Sequence, residues 1–400
     1  MYKILSSNGD RNFRKNLTRS HSKKRYWVHQ VLSSISIPDT IWTRVISILS
    51  LWTFHYFLFS LFLPQDLLLQ YLVVFTICFL LDAGIVFLLP FWKISFGSFP
   101  EQIFVIHCPR IFVSLSCILL VNFFPHSFYL FTFLQFMGSI SYFGGMVIEP
   151  SKVEFTKIVK NYNKVKKEIS FIHLSDVHVE KISKRELQVI QYIQNNKPDF
   201  IFFTGDYLNL SNVADPQSFE DLKKFIQSLT ANYGIFASMG SPPVDDREKI
   251  QEILESVGVK VLRDQQCLIE LPSGDKINLL GVDCDHRQSI DSKVAEYLAA
   301  NIDPNYLSIL LFHSPEIMPQ IQNFPIDIYL CGHTHGGQIR LPIYGAVVTS
   351  SVTGKKYEMG SYVENGTHLY VSRGLGLEGK IAPRMRLFCR PETIHWKIIH

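Results

Sequence analysis

The chain has seven cysteines in 400 residues, and no two of them are spaced as Cys-x-x-Cys. Cys78, Cys108, Cys117, Cys267, Cys284, Cys331 and Cys389 are scattered and odd in number. That pattern excludes a zinc ribbon and a disulfide framework, and points to reduced thiols in a cytosolic setting. A large excess of one charge is also missing. The formal net charge of +4 gives no support to nucleic acid as a partner. No internal repeat and no low-complexity tract interrupts the chain. The basic N-terminus is not followed closely by an apolar run with a small-residue cleavage site, which excludes a removable signal peptide.

What is present divides near residue 150. Residues 1–44 form a basic segment with Lys3, Arg11, Arg14, Lys15, Arg19, Lys23, Lys24, Arg25 and Arg44. It is open to two readings that are compatible, a disordered tail and a cytoplasmic anchor against anionic lipid. Residues 45–150 are rich in Phe, Leu and Ile and poor in charge, with apolar runs at 45–63, 67–92, 103–124 and 127–148. Each is near the ~20 residues a membrane-spanning helix needs. The third is interrupted by Pro109 and Arg110, so its unbroken part begins at Ile111. The connections Pro64-Gln65-Asp66 and Pro125-His126 have no Lys or Arg, whereas the middle one has Lys93. Lys152, Lys157, Lys160, Lys164, Lys166 and Lys167 follow the last run. The positive-inside rule then places the N-terminus and the C-terminal part on the cytoplasmic side of the inner membrane, with four spans between. Asp82 is costly in lipid; a pairing with Arg110, a position facing the bundle interior and a substrate role are the open alternatives.

Residues 151–400 have the polar mix of a soluble domain and length enough for a full core. A basic strand and loop at 151–167 precede an alternation of strands and helices. Strands are expected at 200–204, 234–239, 259–262, 267–271, 276–282, 308–312, 339–341, 346–350, 368–372 and 394–399. Helices are expected at 186–195, 219–229, 247–257 and 290–300. Mixed strands with helices outside indicate an α/β sandwich of two sheets.

The chemistry gathers where apolar runs stop. Ile326, Ile328 and Leu330 alternate into Leu330-Cys331-Gly332-His333-Thr334-His335-Gly336-Gly337. Two histidines one residue apart in a glycine-flanked turn can aim their rings at different points, which suits a centre with two metal ions. Cys331 beside them is read as small apolar filler. Upstream, three further runs end in Asp176-Val177-His178, in Gly205-Asp206 and in His313-Ser314-Pro315. Strand ends are where ligand residues collect in α/β sheets, and carboxylate with imidazole is a donor set for divalent transition ions.

In this order these motifs resemble the calcineurin-like metallophosphoesterases, over roughly residues 153–399. The resemblance is nearest to the bacterial membrane-associated branch, through Gly281-Val282-Asp283, Gly332-His333-Thr334-His335-Gly336-Gly337-Gln338-Ile339, Ser372-Arg373-Gly374-Leu375-Gly376 and Arg390-Pro391-Glu392. It implies a two-sheet metallophosphoesterase sandwich with flanking helices, here preceded by an α-helical transmembrane region. It implies two divalent ions, Mn, Fe or Zn. Asp176, His178 and His335 would hold the first ion, Asp206 would bridge, and His313 and His333 would hold the second. Within that branch the implied activities include cleavage of UDP-2,3-diacylglucosamine to lipid X and UMP in lipid A synthesis. The partners would then be the membrane and a lipid-linked or nucleotide-linked phosphate, with no nucleic acid.

One motif departs from the family. Its Gly-Asn-His-Asp/Glu is Gly240-Ser241-Pro242-Pro243 here. Ser241 stands for the Asn ligand of the second ion, and Pro242 for the His that donates a proton to the leaving group. Two consequences stay open. The enzyme is active on a substrate whose leaving group needs no acid, such as a pyrophosphate or an activated diester, with Asp245, Asp246 or Arg247 near the site. Alternatively the domain is a degenerate, non-catalytic binding protein. Arg340 is the candidate for phosphate contact by two hydrogen bonds, and Arg373 for a structural ion pair. His107, His126, His173 and His286 have no motif role and are read as structural.

Overall fold

The computed structural model describes residues 3–9, 13–14, 17, 37–121, 123–124, 126–379 and 383–400. The apolar runs form four helices, α1 (Ile41–Phe62), α2 (Gln65–Leu88), α3 (Phe99–Leu120) and α4 (Ser127–Phe143). Thr40 starts α1 with a reciprocal cap: its hydroxyl accepts from the Thr43 N–H at 3.2 Å, and the Thr43 hydroxyl accepts from the Thr40 N–H at 2.9 Å. By length and composition all four helices could cross a membrane, α4 with its continuation to Ile148. A rise of ~1.5 Å per residue makes 22 residues about as long as the hydrocarbon layer is thick.

The third run, read as 103–124 with an interruption at Pro109 and Arg110, is one helix that begins at Phe99. It runs unbroken through Pro109, and Arg110 turns inward to clasp Asp82 at 2.7 Å. Ser139 donates to Asp82 and accepts from Arg110, and Gln135 accepts from Arg110. The two charges thus satisfy each other within the bundle, as a carboxylate amid apolar helices requires.

The rest of the chain is a sandwich of two sheets. A six-stranded sheet has the order β2 (Glu154–Asn161), β15 (Glu392–Ile399), β3 (Ile169–Leu174), β4 (Phe200–Thr204), β5 (Ile235–Ser238), β6 (Lys260–Val261). A seven-stranded sheet has the order β1 (Lys3–Gly9), β7 (Gln265–Glu270), β8 (Lys276–Gly281), β9 (Leu307–Leu311), β10 (Ile328–Cys331), β14 (Thr367–Val371), β13 (Gly360–Glu364). A small pair, β11 (Arg340–Leu341) with β12 (Gly345–Ala346), stands apart.

Strand alternation builds three layers of core. Phe200 and Phe202 of β4 point between the sheets with Phe171, Trp396, Ile309 and Leu330. Ile201 and Phe203, one residue out of phase, pack outward under α5 (Lys184–Asn196), α6 (Pro216–Gln227) and α7 (Arg247–Ser256). On the far face of the seven-stranded sheet, Leu310 and Tyr329 pack against α8 (Gln288–Ala299) and α9 (Met318–Ile321).

The N-terminal segment departs from its expected role where it is described. β1 pairs antiparallel with β7 at the sheet edge. Arg14 is buried and bonds Asp264, Asp285 and Asp291 at 2.6, 2.8 and 2.7 Å, so this charge is spent on protein carboxylates and not on lipid. Arg11, Lys15, Arg19, Lys23, Lys24 and Arg25 of the basic segment, and Pro125 of the last connection, lie outside the described residues. β13 was not anticipated, and the strand expected at 346–350 is reduced to Gly345–Ala346.

Candidate metal centre

Four strands end at one place. β3 and β4 come from one sheet and β9 and β10 from the other, and the residues just beyond their ends face each other: Asp176 and His178, Asp206, His313, His333 and His335. The donor atoms of Asp176, His178 and His335 lie within 4.8 Å of one another, as do those of Asp176, Asp206 and His313. His178 and His335 bring their Nε2 atoms to 3.1 Å. Asp206 Oδ2 lies between the two groups, 3.8 Å from His178 Nε2 and 3.4 Å from His313 Nε2. The donor nitrogens of His313 and His333 also lie within 4.8 Å of each other, so all six side chains expected to bind metal are in one cluster.

The backbone is bent to reach it. Asp176, His178, Asp206, His333 and His335 all have positive φ, between 40° and 69°. Asp and His enter this left-handed region more readily than most side chains, yet each such residue costs of order 1–3 kcal/mol. Glycines let the carboxylates close in. A Cβ on Gly332 would fall 1.9 Å from Asp176 Oδ2, and one on Gly240 would fall 2.2 Å from Asp206 Oδ1.

The donor set fits divalent cations. His178 Nδ1 lies 2.9 Å from the Leu208 carbonyl, and His313 Nδ1 lies 2.8 Å from the Thr204 carbonyl. A carbonyl only accepts, so both Nδ1 atoms carry the hydrogen and both Nε2 lone pairs face the carboxylates. This is the arrangement in which a protein fixes a metal-ligating imidazole. Electrostatics agree. Burial alone would push Asp206 up, but His313, His178 and the Ser241 N–H together hold it below the usual carboxylate range. Burial likewise opposes charge on His313, and Asp206 overrides it and raises that group. The cluster is a place that draws positive charge.

The other candidates are placed as follows. Asp245 is buried behind Asp206 and accepts from the backbone N–H groups of Asp206, Tyr207 and Gly240 at 2.9, 2.9 and 2.8 Å. Burial and the Asp206 charge push its carboxyl up. It positions Asp206 from behind. Asp246 caps α7, and Arg247 pairs with Asp285 at 2.6 Å. Arg340 is engaged with Glu358 at 2.9 Å and with the Gly336 carbonyl at 2.9 Å. Arg373 is in an ion pair with Glu392 at 3.0 Å and with Glu154 at 3.1 Å. His173 bonds Thr204 at 2.9 Å inside the sheet, His107 meets His55 at 3.0 Å between helices, and His126 precedes α4 beside Phe124 and Tyr129.

Two residues at the cluster were not anticipated. Glu378 brings Oε2 to 3.2 Å from His335 Nε2 and 3.9 Å from His178 Nε2. His286 is no remote structural histidine: its donor nitrogen lies with those of His313 and His333 within 4.8 Å. Each follows a motif that was recognised, Glu378 after Ser372-Arg373-Gly374-Leu375-Gly376 and His286 after Gly281-Val282-Asp283. Position just past such a motif was the available signal.

The calcineurin-like phosphoesterase family model matches residues 169–337. An uncharacterized metallophosphoesterase of Bacillus subtilis, YkuE, is 31% identical over 212 residues, which cover 52% of this chain and 71% of the relative. The phosphodiesterase YaeI of Escherichia coli is 28% identical over 238 residues, 57% of this chain and 81% of the relative. The UDP-2,3-diacylglucosamine pyrophosphatase LpxG of Chlamydia trachomatis is 25% identical over 313 residues, 62% of this chain and 89% of the relative.

Gly240→Ala tests the close approach at Asp206. The added methyl meets both the Asp206 carboxylate and its backbone nitrogen, so the carboxylate must move. Metal uptake should weaken and hydrolysis should fall by ~100-fold, the effect of a misplacement near 1 Å, with the far-ultraviolet circular dichroism unchanged. Wild-type metal uptake in this variant would show that the contact does not set the site.

Proposed function

The chain belongs to the calcineurin-like phosphoesterases, and we propose that it is a membrane-bound, two-metal hydrolase acting on a phosphodiester or pyrophosphate bond of a lipid-linked nucleotide. The observation that carries the reading is Asp206, set between His178 on one side and His313 on the other. In this reading Asp176, His178 and His335 hold one ion, His313 and His333 hold the other, and Asp206 serves both. Two ions of Mn, Fe or Zn held there would activate water and neutralise phosphate oxygens during in-line attack. The protein's own part is to position. Asp245 fixes Asp206, the Leu208 and Thr204 carbonyls orient the two imidazoles, and the glycines keep the approach narrow. Arg340 would have to leave Glu358 to reach a phosphate.

Pro242 supplies no proton, so a leaving group that departs as a stable anion is favoured. UMP leaving from a pyrophosphate meets that condition, and LpxG is named for such a cleavage. A lipid-borne substrate is further supported by the segment that follows the His335 turn. Leu341, Ile343, Tyr344, Val347 and Val348 are exposed there, while Ile339 packs against the helical bundle. Exposed apolar groups gathered beside a site and next to apolar helices suit a lipid surface. UDP-2,3-diacylglucosamine is the substrate that joins these features, placing the enzyme in lipid A synthesis. The Lys-rich segment after α4 favours the cytoplasmic face of the inner membrane for the catalytic part.

Purified protein should hydrolyse UDP-2,3-diacylglucosamine and nitrophenyl diesters when loaded with metal, and Asp176→Ala should abolish both. Alkyl diesters should be slower by the ~10²–10⁴-fold that a general acid typically contributes. Equal rates on activated and alkyl esters would contradict the leaving-group account. Turnover of nitrophenyl diesters without the nucleotide lipid would favour a broad-specificity phosphodiesterase, and no turnover of any ester would favour a non-catalytic binding protein.

Topology has its own test. A reporter enzyme joined after residue 150 should be active only as a cytoplasmic fusion; periplasmic activity would overturn the four-span arrangement.

A further inference from the structure

We propose that His286 is a protein ligand of the second metal position, supplying the donor that Ser241 does not. The inference rests on the two-metal reading above. In the family pattern an Asn amide is a ligand at the position of Ser241. A serine side chain is shorter than an asparagine, and its hydroxyl is a weak ligand while it keeps its proton. His286 reaches the same spot from another loop. Its Nε2 lies 2.9 Å from Ser241 Oγ, and that oxygen is also 3.2 Å from His313 Nε2 and 3.4 Å from Asp206 Oδ2. The His286 ring is 4.4 Å from the His333 ring between centroids. The donor nitrogens of His286, His313 and His333 lie within 4.8 Å of one another. Imidazole suits the ions the rest of the set suits, so His286 completes a sphere of Asp206, His313, His333 and His286.

The loop is built to hold that ring in place. His286 has a φ of 50°, the same left-handed backbone as the five cluster residues on the strand ends. Asp285, immediately before it, is clasped by Arg14 at 2.8 Å, Arg247 at 2.6 Å and Arg287 at 3.2 Å. Asp291 accepts from the Asp285 and Arg287 backbone N–H groups at 3.1 and 3.2 Å, on either side of the histidine. Asp283 is held by Arg263 at 3.0 Å. The N-terminal segment thus takes part in fixing this ligand, through Arg14.

Full-length protein in detergent is stripped with chelator and titrated with Mn²⁺, counting bound ions by calorimetry and by electron paramagnetic resonance. Wild type should take up two ions. His286→Ala should take up one with unchanged affinity and the second at least ~10-fold more weakly, the lower end of what loss of a supporting metal contact costs. Ser241→Asn in the same background should restore the second ion. Its return also shows that the single variant was folded, and circular dichroism gives a second check. Two ions bound by His286→Ala with wild-type affinity would overturn the proposal. If that variant also lost activity on alkyl esters alone, His286 would be a proton donor and not a ligand. A wild type that takes up fewer than two ions would instead overturn the two-metal reading on which the proposal stands.

Discussion

The structure depends on how a buried carboxylate, Asp206, is compensated. It is almost fully buried, and an uncompensated charge in such a place costs several kcal/mol. The protein compensates it only in part. The Ser241 N–H reaches Oδ1 at 2.6 Å and Asp245 secures the backbone nitrogen, while Oδ2 faces the Nε2 atoms of His178 and His313. To make these contacts β4 must end at Thr204, Gly205 must take a φ of 92°, and Gly240 must carry no side chain. A network of acceptors facing one another is stable only with positive charge among them. The same geometry that burdens the fold therefore selects its ligand.

Much of this was legible in the sequence because apolar runs that stop at Asp or His mark strand ends. Asp176, His178, Asp206, His313, His333 and His335 stand two or four residues past β3, β4, β9 and β10; alternation located β10, and continuous apolar runs located the other three. The cost of charge among apolar helices left Asp82 a pairing with Arg110 or a place facing the bundle interior, and the structure shows the pairing. His286 and Glu378 were hidden because both lie in irregular loops, five and seven residues past the ends of β8 and β14 (Gly281 and Val371). No periodicity sets where such a side chain points; that is decided by tertiary contacts such as the clasp on Asp285. β1 was hidden for a related reason, since an edge strand that borrows its partner from β7 needs no strong pattern of its own. Pro109 misled because a proline inside a helix forfeits one hydrogen bond, yet neighbouring apolar helices hold the turn together.

The apolar helices and the metal centre are joined by more than covalent sequence. Residues 384–389 pass between them. Met385 packs into the helical core, and the buried Arg386 donates to the Arg373 carbonyl at 2.7 Å and to the Gly376 carbonyl at 2.5 Å. Glu149, just past α4, accepts from the Phe388 and Cys389 backbone N–H groups at 2.9 Å each. Cys389 in turn lies 3.2 Å from the His335 carbonyl. Arg384, bonded to Glu180, fills the space beside Gly97 where a Cβ would collide with it. The site is thereby seated directly on the helical bundle, with the exposed apolar segment around Ile343 beside it.

The most direct test of the central claim is an anomalous-scattering experiment on crystals of the full chain grown with Mn²⁺. The account predicts two peaks ~3.5–4 Å apart, with Asp206 between them, one nearest Asp176, His178 and His335 and the other nearest His313 and His333. A single peak, or two peaks that do not share Asp206, would contradict it.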